Sequence, residues 1–213
     1  LSSLMMVTMM LMNSSRALAS AKRIREVLEE EVDINDDSAR HPESQVLKGD
    51  IEFKNVSYRY YKNSEDPVLN NINLTIPAGS TVGVIGSTGC GKTTLVSLIP
   101  RLYDCDSGEI LIDGINVKDY SLYNLREGVG MVLQKNVLFS GSIKENLLWG
   151  DENATEEDII TAANYAQAHG FIESFKDGYD TLLEQGGVNV SGGQKQRLCI
   201  ARALLKKPKI LIL

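Results

Sequence analysis

The sequence predicts an α/β fold organised around one glycine-rich turn, and three observations carry that prediction. A short β-branched run, Thr81-Val82-Gly83-Val84-Ile85, leads into Gly86-Ser87-Thr88-Gly89-Cys90-Gly91-Lys92-Thr93, and an apolar pattern at helical spacing follows to Ile99. Segments on either side of this stretch alternate apolar and polar residues between turn signals, as strands of an antiparallel sheet do. A group of helical patterns then separates an apolar strand ending at Gln134 from a last apolar run, Lys209-Ile210-Leu211-Ile212-Leu213.

The chain has 213 residues, enough for one good-sized domain with an appendage. Its net charge of −6 argues against general nucleic-acid binding, which needs a basic surface. The three cysteines, Cys90, Cys105 and Cys199, show no paired spacing, which suits reduced thiols in a cytosolic domain. The chain starts at Leu1 and stops inside an apolar run, so we expect it to be an internal piece of a longer protein.

Residues 1–12 are mostly Leu, Met and Val, and they hold five of the six methionines. A bilayer takes about 20 apolar residues, so this run alone is too short to span one. It reads as the end of a longer membrane helix, or else as a helix buried in a soluble domain. Arg16, Lys22, Arg23 and Arg25 follow before the first acid, Glu26. Positive charge just past an apolar segment marks the cytoplasmic side. Leu18, Ala21, Ile24 and Leu28 recur at helical spacing, so the helix should run to about Glu30. Residues 31–50 are acidic and polar and read as a solvated linker. His41 and His169 are isolated, which speaks against a histidine metal site.

The main domain is expected from Ile51 onward. Phe53, Val56, Tyr58 and Tyr60 are spaced for strands with a break near Asn55. Residues 68–76 alternate and lie between Pro67 and Pro77-Ala78-Gly79. Tyr60 is either an edge-strand tyrosine or a ring on which an adenine stacks. The glycines of 86–91 let the backbone curl so that successive N–H groups face one anion. The following helix adds its partial positive charge. In this G-x-x-x-x-G-K-[ST] pattern Lys92 reaches the β- and γ-phosphates and the Thr93 hydroxyl holds Mg²⁺.

Beyond the loop helix, Ser107-Gly108-Glu109 should turn the chain into Ile110-Leu111-Ile112. Asp113-Gly114 signals a hairpin. Residues 129–133 read as a strand, and Gln134 at its end could bind Mg²⁺ or position a water. Residues 142–149, 155–168 and 171–175 read as helical, with Thr155 and Asp158 forming a loose capping box. Ser191 is the natural N-cap of a helix opening Gly192-Gly193-Gln194, and such a start is a second anion-directed site.

Taken together, these stretches resemble the nucleotide-binding domain of an ABC transporter of the exporter type, over residues 51–213. The match lies in the order of three motifs. Walker A is Gly86 to Thr93, with Thr94 next to it. The Q-loop is Gln134. The signature is Ser191-Gly192-Gly193-Gln194, followed by Lys195-Gln196-Arg197. Phe53-x-x-Val56-x-Tyr58-x-Tyr60 resembles the exporter A-loop, which makes Tyr60 the adenine platform.

The resemblance implies a P-loop NTPase core with an antiparallel β subdomain and a helical subdomain at about 135–190. It implies ATP and Mg²⁺, and a second nucleotide-binding domain in a head-to-tail homo- or heterodimer. It also implies transmembrane domains of the chain itself and of its partner, a multi-pass location in the cell membrane, and no nucleic-acid partner. ATP would lie between Walker A of one domain and the signature of the other. Val190 stands where the family has Leu, and Gln185-Gly186-Gly187 replaces the usual X-loop Glu-Arg-Gly. The Walker B acids and the switch histidine are expected after Leu213, so no catalytic base is assigned within the chain, and by itself it is expected to be inactive. The alternative is a soluble ABC ATPase without a transport role. A module that holds ATP without chemistry is a third class. Apolar segments of about 20 residues before Leu1 would decide for the exporter.

Overall fold

The computed structural model describes residues 1–30, 32–61, 64 and 66–213. Glu31, the first residue of the expected linker, lies outside the described residues. Two compact units divide the chain, residues 1–35 and 36–213. The first is one helix, α1 (Ser2–Leu28), with none of its residues buried. Its C-terminal part carries the exposed i,i+4 pairs Lys22–Glu26 and Arg25–Glu29. Among the described residues no helix is long and apolar enough to cross a membrane.

The second unit has two hydrophobic clusters. One lies under a four-stranded antiparallel sheet of β1 (Ile51–Tyr58), β2 (Leu69–Ile76), β3 (Ser107–Ile112) and β4 (Ile115–Asn116), in the order β2-β1-β3-β4. Ile51 and Phe53, Val56 and Tyr58, and Ile110 and Ile112 point inward two apart, with a register shift between Phe53 and Val56. They meet Leu98, Tyr120 and Leu125. The expected break near Asn55 is present: Asn55 has φ 51° and the β1–β3 register shifts there. Gly108 faces it, and a Cβ on Gly108 would overlap the Lys54 and Asn55 carbonyls. The expected turn at 107–109 is therefore the first part of β3, since this glycine lets the strand begin against the bulge. Asp113 and Gly114 both have positive φ, 52° and 82°, as a type I′ hairpin demands.

A two-stranded parallel sheet pairs β5 (Val129–Met131) with β8 (Ile210–Ile212), Val129 opposite Ile210. β5 follows α3 (Leu122–Gly128), which is capped by Ser121. The ladder stops near Val132, whose N–H reaches the Ile212 carbonyl at 2.9 Å, so Gln134 lies past the strand end. β8 was expected to be fully buried. Ile210 is, but Leu211 is 39% exposed.

Between β5 and β8 the chain builds the helical lobe. It comprises β6 (Gly141–Ser142), α4 (Ile143–Leu148), α5 (Glu156–Tyr165), α6 (His169–Glu173), β7 (Leu182–Leu183) and α7 (Gly192–Leu205). β6 and β7 pair antiparallel. Ile143, Leu147, Ile159, Ala163, Ile172, Leu198 and Ala201 form its core. Ser142, Thr155 and Ser191 each make both bonds of a capping box, so Asp158 completes the Thr155 box in full rather than loosely.

Two further expectations fail. Residues 81–85 form no strand: Val82, Val84 and Ile85 are 47%, 43% and 97% exposed. Composition favours a strand there, but a strand needs a hydrogen-bonded neighbour, and among the described residues none pairs with this segment. Residues 36–50 are also not a free linker. Asp113 accepts the N–H groups of Leu47, Lys48, Gly49 and Asp50, Arg40 pairs with Asp119, and Val46 is buried in the sheet-side cluster.

Candidate functional site

The glycine-rich loop runs irregularly from Gly86 into α2 (Lys92–Ser97), whose N-cap is Gly91. Gly89 and Gly91 have φ 84° and 92°, a region that favours glycine. Gly91 also packs against the entry to β2: a Cβ there would stand 3.1 Å from the Val68 carbonyl and 3.0 Å from Leu69 Cδ2. Space and φ together therefore fix glycine at 91. The Lys92 ammonium turns back over the loop and donates to the Gly86 and Ser87 carbonyls, each at 2.8 Å. Gly86, Ser87, Thr88, Gly89, Cys90 and Thr93 are exposed.

A cleft of about 270 Å³ opens beside this loop, lined by Tyr60, Val68, Gly89, Gly91, Lys92, Thr93 and Thr94. One wall is thus an aromatic ring and the other a cationic, amide-rich loop, which suits a ligand with a flat base and a polyanionic tail. Tyr60 is 48% exposed, and its hydroxyl lies 3.0 Å from Thr94 Oγ1. Tyr58 and Tyr103 contact the Tyr60 ring edge-on, with centroids at 5.1 and 5.4 Å. Burial, then its neighbours Tyr60 and Tyr103, push the Tyr58 phenol up to about 12. Sequence reading placed Val68 only in an alternating strand and did not single out Tyr103; three-dimensional proximity alone brings them to the site.

Gln134 is exposed and does not line this cleft. Magnesium takes oxygen ligands, and Thr93 offers a hydroxyl on the cleft wall. Among the described residues no group of three or more His, Cys, Asp or Glu stands ready to complete a shell. The other anion-directed start also lies elsewhere. Ser191 caps α7 in the helical lobe, accepting from the Gln194 N–H at 3.3 Å and donating its own N–H to Gln194 Oε1 at 2.8 Å. Its hydroxyl oxygen accepts in this cap and still has its O–H to donate. Gly192 and Gly193 face open space: a Cβ on either would touch nothing within 4 Å.

The remaining thiols differ from the loop cysteine. Cys90 is exposed, with Sγ 3.8 Å from Lys92 Nζ. Burial pushes the Cys105 and Cys199 thiols up.

An antiparallel β lobe, a helical lobe and a glycine loop on a short helix define a P-loop nucleotide-binding domain. Comparison with known proteins makes the class more specific. Residues 69–213 match the model of the ABC transporter family. The chain is 47% identical over 188 residues to a putative multidrug export ATP-binding/permease protein of Staphylococcus aureus, covering 88% of this chain and 32% of that protein. It is 46% identical over 169 residues to ABC transporter B family member 2 of Dictyostelium discoideum, covering 79% of this chain and 12% of that protein. A solved bacterial Atm1-family ABC exporter with ATP bound superposes with a TM-score of 0.83 at 32% identity, covering 92% of this chain and 34% of that one. The chain belongs to the ABC transporter family, and its globular unit is the ATP-binding part. It spans between 12% and 34% of the length of these relatives.

Proposed function

We propose that this domain binds ATP in the cleft between Tyr60 and the 86–94 loop and, within a complete protein, couples ATP binding and hydrolysis to export of a substrate across a membrane. The observation that carries the proposal is the cleft itself, which sets an aromatic ring beside a lysine, a threonine and left-handed glycines. Tyr60 stacks the base. Lys92 and the loop amides hold the phosphates, and Thr93, with Gln134 brought in, holds Mg²⁺. Bound Mg²⁺ supplies charge neutralisation of the phosphates.

The signature residues Ser191, Gly192, Gly193 and Gln194 then serve a second nucleotide-binding domain in a head-to-tail homo- or heterodimer. The open space at Gly192 and Gly193 supports this, because bare backbone admits the close approach of a phosphate from outside. The proposal also places residues 1–30 at the cytoplasmic end of a membrane helix and the complete protein in the cell membrane. The basic flank at Arg16 to Arg25 and the permease and exporter names of the relatives support that placement.

The test is Lys92→Ala in the complete protein. Losing the cation should weaken ATP binding at least tenfold and abolish transport into inverted vesicles. Unchanged affinity and transport would sink the assignment.

A further inference from the structure

Tyr60 lies two residues past the end of β1, so no ladder bond fixes the ring. Three side-chain contacts orient it instead. Tyr58 and Tyr103 meet it edge-on at interplanar angles of 82° and 87°. Its hydroxyl meets Thr94 Oγ1 at 3.0 Å. Thr94 is only 4% exposed and follows Lys92 and Thr93 on the first turn of α2. The bond therefore joins the base side of the cleft to the backbone that presents the phosphate-binding groups.

We propose that Tyr60 and Thr94 work as a coupled positioning pair. Thr94 sets the height and tilt of the Tyr60 ring over the loop, so that a purine base and its triphosphate engage together. The proposal rests on the ATP-binding reading of this cleft. The ring contributes stacking with or without its hydroxyl; what the hydroxyl adds is register. A ring released from Thr94 can turn about its own side-chain bonds, and the stacked geometry must be paid for at binding. The buried Thr94 hydroxyl meanwhile loses its partner.

The quantity to measure is the ratio of the tripolyphosphate to the ATP dissociation constant, determined calorimetrically on the complete protein. This ratio isolates what the base adds and cancels any effect on phosphate binding. Tyr60→Phe and Thr94→Val should each lower it about fivefold, the loss expected for one hydrogen bond. The double variant should lower it no further than either single one, because one bond is removed in all three. Thr94→Ser keeps the hydroxyl and should keep the wild-type ratio. Melting curves would confirm that every variant is folded, and Tyr60→Phe, which removes the same bond, carries the test if Thr94→Val is not.

Losses that multiply in the double variant, or a ratio unchanged in the single ones, would overturn the pairing while leaving Tyr60 as a base platform. A Thr94→Ser ratio as low as that of Thr94→Val would overturn it too. A wild-type protein that binds tripolyphosphate as tightly as ATP would overturn the base-binding reading itself, and the pair with it.

Discussion

Replacing Asp113 by asparagine should destabilise the 36–213 unit by about 2–3 kcal/mol, more than any surface ion pair it contains. Asp113 Oδ2 accepts from the Leu47 and Lys48 amides at 2.7 and 3.0 Å. Its Oδ1 accepts from Gly49 and Asp50 at 2.8 and 3.0 Å. Asparagine keeps one acceptor oxygen and turns an NH₂ group toward the other two donors. Hydrogen bonds to a charged acceptor are worth about 1.5–3 kcal/mol each, and two are lost. Leu47 and Lys48 are exposed, so water replaces part of that loss. The backbone should survive the change, because asparagine tolerates the φ of 52° at this position.

The effect carries a pH signature. Burial pushes the Asp113 carboxyl up, but the amide bonds from Lys48, Leu47, Asp50 and Gly49 together outweigh it and hold the group below its ordinary value. A depressed folded-state pKa stabilises above the unfolded value of about 3.9. That stability is lost as pH falls through the folded-state value. Urea unfolding at pH 7 should thus separate the two proteins by the full amount, with a melting shift of roughly 4–12 °C. The gap should close in acid below that window. Arg40→Ala, which breaks a pair whose arginine is 80% exposed, should cost no more than about 1 kcal/mol. A loss at Asp113→Asn below about 0.5 kcal/mol, or one of equal size at pH 3 and pH 7, would refute the reasoning.

Tyr60→Ala should weaken ATP by about 1–3 kcal/mol, the worth of one stacked base, and leave inorganic tripolyphosphate nearly untouched. Equal losses for the two ligands in a competition assay would remove Tyr60 from the site. Cys90 should be alkylated before Cys105 and Cys199, whose thiols burial pushes up, and ATP should protect it. Mass spectrometry of early adducts reads the order, and first labelling at Cys199 would contradict it.

What the sequence made legible was local chemistry. The spacing of Phe53, Val56 and Tyr58 announced a break near Asn55, Asp113-Gly114 a hairpin, and Thr155 and Ser191 their caps, because each effect acts within four residues. The phosphate loop was legible for the same reason. What stayed hidden depends on partners distant in sequence. Residues 81–85 have strand composition and no strand, since pairing belongs to two segments at once. Residues 36–50 look like linker because their own side chains are polar, while the carboxylate that docks them stands at position 113. Gln134 stands past the end of the β5 ladder and does not line the cleft, and no local pattern signals where that ladder stops. Tyr103 makes the Tyr60 environment aromatic on a second side, and nothing in its neighbourhood of the sequence signals that.

The posture of Lys92 bears on how the cleft sorts anions. Its ammonium already holds two carbonyl oxygens at 2.8 Å. An arriving anion therefore competes for a charge that is in use, and its gain is the difference between two sets of partners. A weakly charged anion offers little more than the two carbonyls do. A triphosphate offers ionised oxygens, whose bonds to a cation are shorter and stronger. On the proposed ATP-binding reading, an anion gains at Lys92 only what its oxygens add over these two carbonyls, and that difference grows with the anion's charge.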